Sequence, residues 1–297
     1  QLEDFEDNFR SSVRLRHLIG PLNKPHTLTA EYSFRDRLFN GSLGFQTVQT
    51  SFGAVLTSSN IVLGDTGINL RYQGGIQVIN ANTDRLDLLP EERENNRITL
   101  TRYQGVASLG RNFTLWRGEG LPPTPTEGLR YTSRPVVPFL QLTTGVTGLA
   151  SLYSSDDTQE ALTGNIGLRG QIGHFSRPFL DYTGFNVTYS QSAVGGLSPF
   201  LFDRIVDRRR LSFGITQQIY GPFRLGFQTS LNLDSNEEIS TNYTLEYSRR
   251  TYNIQLRYNP VVGLGSFLIR IGDFNWLGTG EPFGGSGVSP VVDGVTQ

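Results

Sequence analysis

Apolar and polar residues alternate along most of this chain. In residues 211–233 the odd positions carry most of the large apolar side chains, whereas the even positions carry Ser, Gly, Thr, Gln, Arg and Asn. A period of two is typical of a β-strand with one apolar and one polar face. The alternation recurs at residues 28–35, 68–78, 165–172 and 185–190. We therefore predict an all-β, antiparallel protein with about 14 strands between residues 9 and 276.

The parity of the residue numbers restricts how the strands of residues 211–233 can pair. Paired residues share a face, and both apolar sets here fall on odd numbers, so the connecting loop needs an odd number of residues unless a bulge intervenes. A three-residue loop at 220–222 places Ile215 opposite Phe227 and Gln218 opposite Arg224. The same register places Ile219 opposite Phe223.

The following hairpin has the opposite parity. Its apolar positions are odd before the turn and even after it, so an even loop is required. Four residues at 248–251 satisfy this condition. The resulting register places Thr244 opposite Gln255 and Glu246 opposite Asn253.

The connections differ in length. Tight turns are predicted near 36–38, 220–222 and 248–251, and long loops at 80–96, 116–135 and 192–208. Short turns on one rim and long loops on the other are typical of outer-membrane barrels. In this chain that alternation of short and long connections holds from residue 192 onward and fails around 116–135. We assign residues 1–276 to a β-barrel domain and residues 277–297, which are rich in Gly, Ser and Pro, to a flexible tail.

Composition separates a membrane protein from a large soluble β-protein. Charged residues make up 18% of the chain and mean hydropathy is −0.28. Because no apolar run is long enough for a transmembrane helix, a membrane-spanning form has to be a β-barrel. Aromatic residues at predicted strand ends suggest an interfacial girdle: Trp116, Tyr220, Phe223, Tyr247, Tyr252, Phe274 and Trp276. We therefore predict a transmembrane barrel of a bacterial outer membrane.

Charge and residue usage exclude several kinds of chemistry. A net charge of −1 argues against a nucleic-acid partner, and the lack of Cys excludes disulfides and thiol catalysis. His17, His26 and His174 lack metal-ligand spacing, so neither a metal nor another cofactor is expected. Ser176 shares a face with His174, but the chain has no Gly-x-Ser-x-Gly motif. We predict that the protein is not an enzyme.

Basic and amide side chains share the polar face of the predicted strands. These candidate lumenal residues are Arg71, Gln73, Gln77, Arg169, Gln171, Arg224, Gln228, Arg257 and Arg270. They could form an ordinary network that fills the lumen. They could also line a path for a phosphorylated amphiphile, since guanidinium groups bind phosphate.

Two segments carry a family resemblance. Residues 208–233, with "ITQQIYGP", and residues 244–276, with "YSRRTYNIQLRYNPV", resemble the barrel of the cyanobacterial branch of the LptD family. The resemblance implies an outer-membrane translocon that inserts lipopolysaccharide into the outer leaflet through a lateral opening. It also implies a plug lipoprotein and periplasmic bridge proteins as partners, besides the outer-membrane lipids.

Departures from the family leave alternatives open. About 14 strands is fewer than the large barrel of the family, so a partial barrel remains an option. Family gates are weakened by prolines, and Pro21 and Pro25 are candidates for that role, although a plain turn explains them equally well. A porin-like channel for small polar solutes is the alternative function. A protein-inserting barrel fits less well, because residues 168–171 only weakly match its lid motif.

Overall fold

The computed structural model describes residues 9–21, 24–271 and 288–296, and strands dominate these ranges. The strands are β1 (Ser11–Ile19), β2 (His26–Phe39), β3 (Phe45–Thr57), β4 (Ile61–Val62), β5 (Asn69–Asn82), β6 (Arg97–Arg117), β7 (Phe139–Tyr153), β8 (Thr158–Gly173), β9 (Tyr182–Gly196), β10 (Arg209–Tyr220), β11 (Phe223–Asn232), β12 (Glu238–Ser248), β13 (Tyr252–Asn259), β14 (Leu264–Ile271), β15 (Val288–Val292) and β16 (Val295–Thr296). In these ranges the helical elements are two short 3₁₀ turns, Gly41–Leu43 and Leu86–Leu88. None of the described helical segments is long and apolar enough to cross a membrane.

The long strands form one sheet in which neighbours in sequence pair antiparallel. The path runs from β14 back through β13 to β5, then to β3 and β2, with β1 on β2 and the short β4 on β5. The predicted all-β antiparallel fold is therefore confirmed. Within the described ranges β1 pairs only with β2, and β14 only with β13. This arrangement is consistent with the partial barrel that the strand count left open.

The sheet curls around an interior. The turn after β2 reaches the turn after β11, where the Asn232 amide donates a hydrogen bond to Ser42 Oγ over 3.3 Å. We call the concave side the inner face and the convex side the outer face. Large apolar side chains remain exposed on the outer face, such as Phe52 at 64%, Leu162 at 58% and Phe267 at 56%.

The first predicted hairpin register is correct except at its end. Ile215 pairs with Phe227, and Gln218 pairs with Arg224, as parity required. The predicted pair of Ile219 with Phe223 is wrong, because a bulge at Ile219 places Tyr220 opposite Phe223. The bulge leaves a two-residue turn, and the Gln218 amide donates to the carbonyl of its first residue over 2.8 Å.

The second predicted register has the right parity but the wrong pairs. Thr244 lies opposite Arg257, and Glu246 lies opposite Gln255. Four residues, 249–252, separate the last paired residues of β12 and β13, which is one position later than expected. Both registers put the same residues on the same face. In the observed register the Asn253 amide still donates to Glu246, which also accepts a hydrogen bond from Arg224 of β11.

The separation of short turns and long loops between the two rims holds from residue 192 onward and fails at 118–138, as the sequence indicated. The first rim carries the connections 40–44, 83–96, 154–157, 197–208, 233–237 and 260–263, and the second rim carries 20–25, 58–68, 118–138, 174–181, 221–222 and 249–251. Long connections therefore occur on both rims. The tight turn expected at 36–38 does not exist, since β2 continues to Phe39 through an irregularity at Arg35, whose φ is 53°.

Part of the predicted tail belongs to the sheet. β15 pairs in parallel with Arg37–Phe39 of β2, along the edge that β1 leaves after Phe34. Val291 is 5% exposed in a cluster with Leu38, and Asp293 forms an ion pair of 2.9 Å with Arg210. Residues 277–287 and 297 lie outside the described ranges. The division of the chain at residue 277 remains a prediction.

Candidate functional site

The nine candidate lumenal residues lie on the inner face. On β5, Arg71, Gln73 and Gln77 share their side with the buried Ile79. On β8, Arg169 and Gln171 share their side with the buried Gln159. The strand registers place the remaining four, Arg224, Gln228, Arg257 and Arg270, on the same inner face. Alternation thus located the residues, and their role in a path remains a prediction.

A polar cavity of about 410 Å³ lies against the inner face of β8 to β13. It exists because three neighbouring strands place glycine at inner positions, namely Gly184, Gly214 and Gly226. A Cβ at Gly226 would come within 3.2 Å of Thr244 Cβ, so even this small addition would crowd the wall. We call this cavity, with its glycine floor and polar walls, the inner chamber.

Three arginines line the inner chamber, and their surroundings differ. Arg224 donates to Glu246 over 2.5 Å, and its guanidinium lies 4.5 Å from the ring centroid of Phe175. Arg169 bonds the neutral amide oxygen of Gln141 at 2.9 and 3.1 Å. Arg257 is exposed to the cavity and has no hydrogen bond or ion pair within the described part of the chain.

The loop between β9 and β10, residues 197–208, folds into the interior. Asp203 is fully buried and accepts hydrogen bonds from Arg102 at 2.7 Å, from the Tyr153 hydroxyl at 2.9 Å and from Ser198. The Arg102 side chain is only 5% exposed, so its charge and that of Asp203 form a buried ion pair. The Gln159 amide also donates to the Asp203 carbonyl. These bonds attach the loop to the inner face of β6, β7 and β8.

Further contacts hold the same loop at the first rim. Arg204 forms a bidentate pair with Asp84 at 2.6 Å, and these hydrogen bonds lower the pKa of Asp84 below its ordinary value. Asp207 accepts bonds from Ser42 and from Asn232. Through Asp207 the loop joins the turns after β2 and β11.

The loop of residues 118–138 covers part of the second rim. Its Tyr131 is 5% exposed, lies 5.3 Å from the Phe175 ring and accepts a bond from Ser248 at its carbonyl. His174 and Ser176 bond to this loop, at the carbonyls of Glu119 and Glu127. They therefore hold loops together in the structure, and each uses its side chain to bond a backbone carbonyl of the 118–138 loop.

The predicted aromatic girdle is concentrated at the second rim. Trp116, Tyr220, Phe223, Tyr247 and Tyr252 all lie where their strands meet that rim. Neighbouring rings touch, with centroids 5.0 Å apart for Phe223 and Tyr247 and 6.0 Å apart for Tyr247 and Tyr252. The remaining two predicted members, Phe274 and Trp276, lie outside the described residues.

Comparison with known proteins places the chain in a family without assigning an activity. A family model with the description "Protein of unknown function (DUF3769)" matches residues 1–275. The chain belongs to the DUF3769 family. No curated protein matches it. The DUF3769 description names neither the LptD family nor lipopolysaccharide transport.

The two candidate gate prolines of this DUF3769 chain lie in the connection between β1 and β2. The Lys24 amide donates to the Pro21 carbonyl over 3.0 Å, and Gly20 has a positive φ of 94°. These features describe a turn at the second rim. Pro25 directly precedes β2. A gating role for either proline stays a prediction.

Sequence reasoning missed the Asp203 network of the DUF3769 chain. A usable signal was present, because Phe200 and Phe202 interrupt a loop that was expected to be polar, and both are almost fully buried. Apolar side chains in a long loop indicate that it packs against something. Among the described residues no cluster of three metal-ligating side chains occurs.

Proposed function

We propose that this protein is a β-barrel of a bacterial outer membrane that inserts lipopolysaccharide, or a related anionic lipid, into the outer leaflet. The main support for this proposal is that the sheet has an apolar outer face and a polar inner face with basic residues. Exposed Leu, Ile and Phe side chains on the outer face suit hydrocarbon, whereas the inner face suits a hydrated, charged headgroup. The resemblance of residues 208–276 to the LptD barrel supports the choice of lipid.

The edges of the sheet suit a lateral opening. β1 and β14 share no ladder within the described residues, so the backbone there does not close the wall by strand pairing. Arg257 and Arg270 lie on β13 and β14, at the inner face of one edge. An amphiphile at this edge could keep its anionic groups near these arginines while its acyl chains contact the surrounding lipid.

The interior loops favour this function over a passive porin. The loop of residues 197–208 and the hairpin β15–β16 occupy the interior near the first rim, and residues 118–138 cover part of the second. An open diffusion channel needs a continuous aqueous path. We therefore expect a barrel that conducts little at rest and acts without chemistry of its own. Energy would come from periplasmic bridge proteins, and a plug lipoprotein would be a further partner.

Photo-crosslinking in living cells tests the proposal. A photoreactive amino acid at Gln228 on the inner face should crosslink lipopolysaccharide, whereas one at the neighbouring Phe227 on the outer face should label phospholipid. Planar-bilayer recordings of the purified protein should show little steady conductance. Large, stable pores without crosslinking at Gln228 would instead identify the porin.

A tether across the edges tests the lateral opening. The chain has no Cys, so a cysteine pair at Leu15 on β1 and Ile269 on β14 can be joined with a reducible thiol crosslinker. We expect the tether to stop lipopolysaccharide from reaching the cell surface and reduction to restore it. The control tether joins Phe113 and Leu142, which already pair between β6 and β7. Transport that survives the first tether would contradict an opening between β1 and β14.

A further inference from the structure

The inner chamber carries a surplus of positive charge. Its lining includes Arg169, Arg224 and Arg257 but only one acidic residue, Glu246. Glu246 already accepts a hydrogen bond from Arg224. Two guanidinium charges therefore remain in the cavity without a carboxylate to balance them.

Arg169 and Arg257 differ from Arg224 in whether their N–H groups can bind a ligand. Arg224 is held between Glu246 and the rings of Phe175 and Tyr182, and its Nε is buried without a hydrogen-bond partner. Its charge contributes to the field of the chamber, but its donors are not presented to a ligand. Arg169 shares its donors only with an amide oxygen. Arg257 has no partner among the described residues and is the most available donor.

The rest of the lining suits an oxyanion. Asn186, Gln228 and Asn242 add amide groups around the glycine floor, and amide N–H groups can donate to ligand oxygens. The floor lacks side chains at Gly184 and Gly226, which leaves space against the backbone. A volume of about 410 Å³ falls within the usual range of small-ligand sites.

We propose that the inner chamber binds a phosphate or diphosphate group through Arg257, with the charge of Arg169 adding to the positive field of the same cavity. Guanidinium is the side-chain group best suited to phosphate, because its planar donors pair with two phosphate oxygens. The identification of this group as the headgroup of a transported lipid rests on the proposed function. The binding of a phosphate group in the chamber does not rest on the proposed function, because the same donors would also bind a free phosphate.

Calorimetric titration of the full chain in a neutral detergent tests the site. The probes are inorganic pyrophosphate and short-chain phosphatidic acid, with short-chain phosphatidylcholine, a zwitterion without net charge, as the comparison. Arg257→Gln should weaken binding of both anionic probes roughly tenfold, the effect of losing one charge-assisted contact. The matched control is Arg117→Gln, which removes an exposed arginine at the end of β6 outside the chamber. This control should stay within about twofold of the wild type.

The outcomes separate the ligand sources and the two proposals. Tighter binding of phosphatidic acid than of pyrophosphate identifies a lipid headgroup, and equal binding identifies a free phosphate. Absence of binding, or equal losses of affinity in Arg257→Gln and Arg117→Gln, would contradict phosphate binding in the inner chamber. Binding that depends on Arg257 without lipopolysaccharide crosslinking at Gln228 supports the chamber and counts against the proposed transport. Lipopolysaccharide crosslinking at Gln228 without phosphate binding supports the proposed transport and counts against a phosphate site in the chamber.

Discussion

Replacing Asp203 with alanine is expected to release the loop of residues 197–208 from the interior. The change removes the carboxylate paired with Arg102, whose side chain is 5% exposed, and it also removes the acceptor of the Tyr153 hydroxyl. Arg102 would keep one neutral partner, the Gln77 amide oxygen. Removing one member of a buried ion pair costs about 3–5 kcal/mol, because the other charge stays buried without compensation.

This cost should appear as faster hydrogen exchange. A loss of about 3–5 kcal/mol corresponds to a factor of roughly 10² to 10⁴ in the equilibrium between the packed and the released loop. Mass spectrometry of peptides from residues 197–208 measures that factor directly. The control is Asp234→Ala, which breaks an ion pair with Arg209 whose side chains are 39% and 50% exposed. Such an exposed pair is worth about 0–1 kcal/mol, so exchange should change less than about tenfold.

A double-mutant cycle separates the ion pair from general damage. Arg102→Met should destabilise the loop by itself, and its combination with Asp203→Ala should cost about 1–3 kcal/mol less than the sum of the single changes. Removing both charges leaves no buried charge without a partner. Additive effects, or exchange in Asp203→Ala that rises less than about fivefold, would refute the assignment of this pair as the anchor of the loop.

Three further predictions concern the outer face, the wall and the first rim. Ile215→Arg on the outer face should destabilise the protein in lipid vesicles by about 2–4 kcal/mol, and Gln228→Arg on the inner face by about 0–1; equal effects in urea unfolding would argue against lipid contact. Gly53→Ala should cost roughly 1–3 kcal/mol because the added Cβ would overlap a backbone carbonyl oxygen, whereas Gly105→Ala, with open space around it, should be neutral or slightly stabilising in the same assay. The pKa of Asp84 is lowered by its arginine partner, so its contribution to stability is present above the ordinary carboxyl pKa of about 3.9 and is lost as the pH falls through the folded-state pKa. The difference in melting temperature between wild type and Asp84→Asn should therefore shrink towards about pH 3, and a constant difference would contradict this origin.

The face of each strand residue could be predicted from the sequence because it depends only on parity. Arg71, Gln228 and Arg257 were assigned to the polar face by counting, and the structure places them there. Parity cannot distinguish registers that differ by two residues, since both keep every side chain on its face. The strand pairing itself distinguishes them, since Glu246 lies opposite Gln255 and Ser248 lies opposite Asn253.

The buried loop network could not be predicted in the same way. Asp203 lies in a segment without a strand period, and its partners Arg102 and Tyr153 are 101 and 50 positions away in the chain. No local pattern connects positions so distant, and only the curvature of the sheet brings them together. The bulge at Ile219 likewise lies beside a distant contact, because Gln218 next to it accepts a hydrogen bond from the Asp181 amide of the 174–181 loop.

Unequal strand lengths would give this protein an uneven hydrophobic height. β6 has 21 residues, whereas β13, the neighbour of the edge strand β14, has eight. At about 3.3 Å per residue and a tilt near 40°, eight residues span only about 20 Å of a hydrocarbon layer that is about 30 Å thick. In a bilayer, lipids beside β13 would have to compress to match that height. Membrane thinning would then be greatest beside the edge where we propose that lipid leaves, and it would shorten the distance that a headgroup has to cross.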